Sequence, residues 1–159
     1  VQMVTWLRVA TRAALLSAVL AAPATAQTAP PSKGEVARLV WTTLIALDHA
    51  NRTGNYTVLR DLSAPGFRAA NDAARLSGVF ARTRDLPLGR VVLYAPQMAV
   101  PPEIVEDGAL RLRGRIPMRP KAVLYDMLFA QQGVEWRLLG LSVGRGEPSV
   151  PEESGEARE

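Results

Sequence analysis

The chain has 159 residues, a formal net charge of +4 and no cysteine. That length fits one domain, and without thiols neither disulfide staples nor thiolate metal sites are possible, so a hydrophobic core must hold the fold alone. With one histidine and no carboxylate cluster, the composition supports no metal site, and no motif implies a cofactor.

Residues 1–26 have the three parts of a secretory leader. Arg8 and Arg12 precede the apolar run Ala13 to Ala22, and Ala24-Thr25-Ala26 is a small-x-small cleavage site before Gln27. The run is too short to remain as a transmembrane anchor, and no cysteine follows it to carry a lipid. The expected destination is periplasmic or secreted, which makes nucleic acid an improbable partner. The sequons at Asn51 and Asn55 matter only in a eukaryotic secretory pathway. Residues 27–31 read as a linker, 32–144 as the domain, and 145–159 as an acidic tail expected to be disordered. Lys33 to Gly144 holds 15 basic residues against 10 acidic ones.

Ser32-Lys33-Gly34-Glu35 matches a capping box, after which Val36, Val40, Thr43, Leu44 and Leu47 recur at helical spacing. This first helix is predicted to reach about Ala50 and to end near Gly54, with Arg38 and Thr42 on its other side. A short second helix over Tyr56 to Leu62 starts from Asn55. Ser63 to Gly66 reads as a turn, with Phe67 returning to the core. Asn71 is the expected cap of a third helix that contains Leu76, Val79 and Phe80. Val91 to Val100 reads as a strand weakened by Pro96.

Leu110 to Ile116 alternates apolar or small residues with arginines, the period of a half-buried strand. Lys121 to Ala130 is rich in Val, Tyr, Phe and Leu, and a turn at Gln132-Gly133 leads into a last strand, Val134 to Val143. The register predicted from that turn sets Phe129 opposite Trp136, Met127 opposite Leu138 and Tyr125 opposite Gly140. With Asp126 across from Arg111, Leu112 meets Tyr125 and Gly114 meets Val123.

In this register Leu110, Leu112, Val123, Tyr125, Met127, Phe129, Trp136 and Leu138 share a core face. Gly114, Gly140 and Ser142 stand beside Tyr125 on that face and leave volume for a cavity. Its candidate lining is Tyr125, Gly140, Ser142, Gly114, Leu112 and Trp136, with the Tyr125 hydroxyl as polar handle. The other reading has the ring filling that space. The opposite face carries Leu124, Leu128, Leu139, Leu141 and Val143 among Arg111, Arg113, Arg115, Asp126 and Arg137. So much aliphatic surface suggests a homodimer, with Leu124, Leu128, Leu139, Leu141, Arg111 and Asp126 at its face.

The order of helices before an antiparallel sheet, with the strand Gly133-Val134-Glu135-Trp136-Arg137-Leu138, resembles the nuclear transport factor two-like superfamily. The resemblance spans about Gly34 to Gly144 and takes in that superfamily's ketosteroid isomerase and polyketide cyclase branches. It implies a cone fold: an α+β domain of three N-terminal helices on a curved antiparallel sheet of about four strands, with a cavity between and frequent dimerisation through the sheet. An unrelated α+β fold with the same order is the alternative.

No catalytic residue emerges. Asp126 would make a base if buried, but the register puts it on the outer face near Arg111 and Arg137, as an ion-pair partner. Asp48 and His49 are neighbours in a helix and point about 100° apart, so they form no dyad. Arg111, Arg113, Arg115 and Arg119 are the only charge cluster on a regular element, able to hold an anionic group or to form a solvated rim. The expectation is a non-catalytic exported domain that binds a small apolar or amphiphilic ligand, or a protein partner. The alternatives are an isomerase or cyclase type of enzyme, and a structural envelope component acting through a dimer face.

Overall fold

The computed structural model describes residues 31–147. The leader 1–26, nearly all of the linker and residues 148–159 of the acidic tail lie outside them. The architecture is α+β, with four α-helices preceding an open antiparallel sheet of five strands. Among the described residues no helix is long and apolar enough to cross a membrane.

Helix α1 spans Lys33–Thr53. The Ser32 hydroxyl accepts the Glu35 N–H at 3.2 Å, satisfying one of the amide donors left open in the first turn. Gly54 closes the other end in the left-handed conformation at φ 73°, its N–H bonding the Ala50 carbonyl at 2.8 Å. Val36, Leu39, Val40, Leu44 and Leu47 form the buried stripe of α1.

Helix α2 (Thr57–Asp61) follows, the Asn55 side chain accepting the Thr57 N–H at 3.0 Å. Two corrections come next. Ser63 to Gly66 is not only a turn: Pro65 sits at the start of a further helix, α3 (Pro65–Ala70), where its missing N–H costs no bond. Helix α4 (Ala73–Val79) is capped by Asp72, whose carboxylate accepts the Arg75 N–H at 2.7 Å, and not by Asn71. The Asn71 amide instead donates to the Phe67 carbonyl at 2.9 Å, closing the end of α3.

The expected strand from Val91 is also corrected. Leu88–Leu93 forms a 3-10 turn laid along α1, and only Gln97–Met98 is strand, β1. Tertiary bonds override the β-propensity of Val91 and Val92 here. The Gly89 N–H is held by the Asp48 carboxylate at 2.9 Å, and the Trp41 indole donates to the Tyr94 carbonyl at 3.0 Å. Asp48 is buried by this contact while His49 stays exposed, so the two serve separate surroundings, and the Asn51 amide is occupied by Thr83 and the Tyr56 hydroxyl.

The sheet continues with β2 (Glu103–Ile104), β3 (Leu110–Ile116), β4 (Ala122–Gln132) and β5 (Glu135–Gly146). Strands run in the order β1-β3-β4-β5, and β2 also pairs with β3. The β3–β4 pairing is displaced by two residues from the predicted one: Leu112 meets Met127, Arg113 meets Asp126 and Gly114 meets Tyr125. A shift of two preserves faces, so Leu110, Leu112, Ile116, Val123, Tyr125, Met127 and Phe129 do point into the core.

The β4–β5 turn is Gly133-Val134, with Gln132 opposite Glu135, not Gln132-Gly133. Gly133 takes φ 62°, a conformation open to glycine, and Val134 projects into solvent. Further along, Phe129 pairs with Leu138 but Leu128 pairs with Gly140, so Leu139 is an extra residue in a β-bulge. Beyond it every side chain of β5 changes face. Leu141 and Val143 pair with Met127 and Tyr125 and pack on the core, while Gly140, Ser142 and Gly144 fall on the outer face.

Candidate functional site

Helix α1, helix α2 and the β4–β5 hairpin converge on a cleft of about 350 Å³. Its apolar floor comes from Leu39, Ala46, Leu59, Phe129, Trp136 and Leu138. Small residues on α1 create the room, since Thr42, Thr43 and Ala46 stand where larger side chains would close it. The hairpin is tied to the helices below by the Ala64 N–H, which donates to the Leu138 carbonyl at 2.8 Å. Buried Ser63 also lines the cleft, with its hydroxyl donating to the Leu59 carbonyl at 2.7 Å.

The rim is charged but balanced. Arg38 donates two bonds to Glu35, at 2.9 and 2.6 Å, and Arg137 donates to Glu135 at 3.2 Å. The hydrogen bonds from Arg38 hold the Glu35 carboxyl below its ordinary range. The ionisable groups that line the cleft are Arg38, Glu135 and Arg137, none of them a buried carboxylate or imidazole. Such a site can enclose an apolar body and offer hydrogen bonds to a polar end.

The predicted cavity lies elsewhere and is filled. Over Gly114 the space is taken by the Tyr125 ring, its hydroxyl 2.6 Å from where a Gly114 Cβ would stand, and by the Gln97 carbonyl. The Tyr125 hydroxyl donates to the Met98 sulfur at 3.3 Å and makes a long contact of 3.4 Å with the Gln97 carbonyl, and burial pushes its pKa up to about 12. Leu112 is fully buried in the core, and the bulge carries Gly140 and Ser142 to the outer face, away from Tyr125. Of the six cavity candidates, Trp136 alone lines the cleft, at the opposite end of the sheet from Gly114.

The outer face keeps part of its expected composition. Leu124 is 43% exposed, Leu128 lies across Gly140, and Leu139 is 36% exposed beside Gly66 of α3. Leu141 is removed from this face by the bulge. Asp126 binds Arg111 through two bonds of 3.0 and 2.6 Å, and those bonds hold its carboxyl below the ordinary range, the state of an ion-pair partner and not of a base.

Sequence reasoning missed the cleft because Arg38 and Thr42 sit on what reads as the solvent side of α1. The available signal was the run of small side chains, Thr42, Thr43 and Ala46, on a helix otherwise rich in Leu and Val. A second hollow, of about 550 Å³, lies between the start of α1 and Pro96, Pro101 and Pro102, with Lys33 as its one charged group. It lacks the convergent polar groups that orient a ligand. Among the described residues no group of three or more His, Cys, Asp or Glu gathers to hold a metal. No family model, no curated protein and no solved structure matches this chain.

Proposed function

We propose that this chain is an exported, non-catalytic domain that holds a small apolar or amphiphilic molecule in the cleft between α1, α2 and the β4–β5 hairpin. One observation carries the reading: a preformed cleft of about 350 Å³ with an apolar floor and a rim of paired arginines and glutamates. A ligand of this class would lay its hydrocarbon part on Trp136, Phe129 and Leu59 and its polar end among Thr42, Arg38 and Arg137. The isomerase or cyclase alternative needs an acid and a base beside the substrate, and the lining offers only exposed Glu135, paired with Arg137.

The same reading takes the α+β arrangement as a variant of the cone fold of nuclear transport factor two-like proteins. The order of elements and a cleft between the long first helix and the sheet support it. Fluorescence titration with anilinonaphthalenesulfonate, an anionic amphiphile, tests the site. Binding is expected for the native chain, and Ala46→Trp, which fills the cleft from α1, is expected to abolish it. Binding that survives Ala46→Trp in a folded variant refutes the assignment.

A further inference from the structure

Thr43 interrupts the apolar stripe of α1 between Val40 and Leu44. It is only 7% exposed, yet its hydroxyl makes no hydrogen bond to any described residue. The other buried polar side chains of the described residues are all paired. Asp48 holds the Gly89 N–H at 2.9 Å, Ser63 donates to the Leu59 carbonyl at 2.7 Å, and Thr83 donates to the Phe80 carbonyl at 2.8 Å. The neighbouring Thr42 hydroxyl is satisfied by the helix itself, through the Arg38 carbonyl at 2.8 Å. A buried hydroxyl without a partner costs free energy that a valine of the same shape would not, so its presence at Thr43 calls for a physical reason.

The hydroxyl is not sealed off. Among the described residues the one side-chain polar atom both closed to solvent and unpartnered is Nε of Arg113. Thr43 lines the cleft between α1, α2 and the β4–β5 hairpin, so its hydroxyl opens into that space. The floor there is apolar: Leu39, Leu59, Phe129 and Leu138 are each no more than 5% exposed. Charge stays at the rim, where Arg38 pairs with Glu35 and Arg137 with Glu135.

We infer that Thr43 is the hydrogen-bonding anchor at the floor of the cleft, and that the molecule held there is an apolar body with an uncharged hydroxyl at its buried end. This rests on the cleft being the binding site. A charged end would give up its water at the floor without meeting a counter-ion, so recognition there falls to a neutral group. An alcohol answers either hydroxyl of the lining. It accepts from Thr43, whose proton is uncommitted, and donates to Ser63, whose proton is held by the Leu59 carbonyl. A plain hydrocarbon leaves Thr43 unpaired, and that difference is the source of selectivity.

The probes are 2-naphthol and 2-methylnaphthalene, which share a ring system and differ by a hydroxyl against a methyl. Each is measured by displacement of anilinonaphthalenesulfonate from the native chain, Thr43→Val and Thr43→Ser. For 2-naphthol we expect affinity to fall about three- to tenfold in Thr43→Val, the worth of one hydrogen bond, and to be kept in Thr43→Ser. For 2-methylnaphthalene we expect Thr43→Val to bind at least as well as the native chain. Equal changes for both probes, or none for either, overturn the inference and leave the cleft as a site. Anilinonaphthalenesulfonate that binds but yields to neither probe overturns it as well. No binding of anilinonaphthalenesulfonate to the native chain removes the cleft reading and this inference with it. Thermal unfolding without ligand is a second test: since the hydroxyl has no partner in the protein, Thr43→Val should melt at or above the native temperature. A lower melting temperature would give that hydroxyl a structural hydrogen bond and overturn the inference.

Discussion

Replacing Gly114 by alanine tests the packing that closed the expected cavity. The new methyl would press on the Gln97 carbonyl oxygen of β1 and lie 2.6 Å from the Tyr125 hydroxyl and 2.9 Å from its ring carbon Cζ. The tyrosine can turn aside; the carbonyl belongs to a backbone paired to β3 through Gln97–Arg115 and Met98–Gly114 and cannot yield without parting β1 from the sheet. Overpacking costs about 1–3 kcal/mol where neighbours relax, and more where they do not. Losing a glycine's freedom in the unfolded chain returns only about 0.4–1 kcal/mol. The net expectation is a loss of about 2 kcal/mol, or a fall in Tm of roughly 8 °C for a domain of this size. Urea unfolding followed by circular dichroism measures the loss, and the double variant with Tyr125→Phe apportions it. Removing the hydroxyl should recover a minor part, because the carbonyl contact remains. A Gly114→Ala protein as stable as the native one would refute the reasoning and reopen the space beside Tyr125.

Asp48→Ala removes the acceptor that holds the Gly89 N–H and leaves that amide without its partner. Thermal unfolding should show a loss of about 1–2 kcal/mol, typical of a lost cap with an orphaned donor. Burial should delay ionisation of Tyr125 to about pH 12, and the difference in ultraviolet absorbance at 295 nm between the native chain and Tyr125→Phe follows it. Because its folded pKa lies above the unfolded value, the folded state keeps a proton that the unfolded chain loses, and stability should decline as pH rises above about 10. Tyr125→Phe should flatten that decline. Asp126 has the opposite sign: its folded pKa is depressed, so its contribution is present above the unfolded value near 3.9 and fades as pH falls through the folded one. Asp126→Asn should weaken the acid limb only slightly, an effect that added salt reduces, since the pair with Arg111 is 36% exposed on each side.

Much of the fold was legible because two kinds of signal are local. The serine cap and the apolar spacing of α1 depend on neighbours three and four residues apart, and α1 begins and ends within three residues of expectation. Alternation on β3 likewise placed its arginines outside and its leucines inside whatever the partner strand did. What failed depends on contacts between distant residues. Val91 and Val92 prefer strand, but Asp48 captures the Gly89 amide and turns the segment along α1. The cleft was invisible for a related reason: it exists because the α2–α3 connection docks on Leu138, a contact that no local pattern announces.

The bulge at Leu139 decides how much of the expected dimer face exists. Without the extra residue, Leu141 and Val143 would join Leu124 and Leu128 in a broad aliphatic surface. With it, those two pack on Met127 and Tyr125, and Gly140, Ser142 and Gly144 take their places outside. A two-fold pairing through this face would then rest on Leu124 and Leu128 within a ring of guanidinium groups, a contact poor in the apolar core that stable homodimers bury. Its strength should respond to those charges. Self-association driven by the leucines should strengthen in high salt, which screens the like charges, and should be abolished by Leu124→Asp. Sedimentation velocity across a range of concentration and salt measures both. Dimers that persist unchanged in Leu124→Asp would mean that the pairing uses another surface, with the open edge of β5 beyond Leu139 the first place to look.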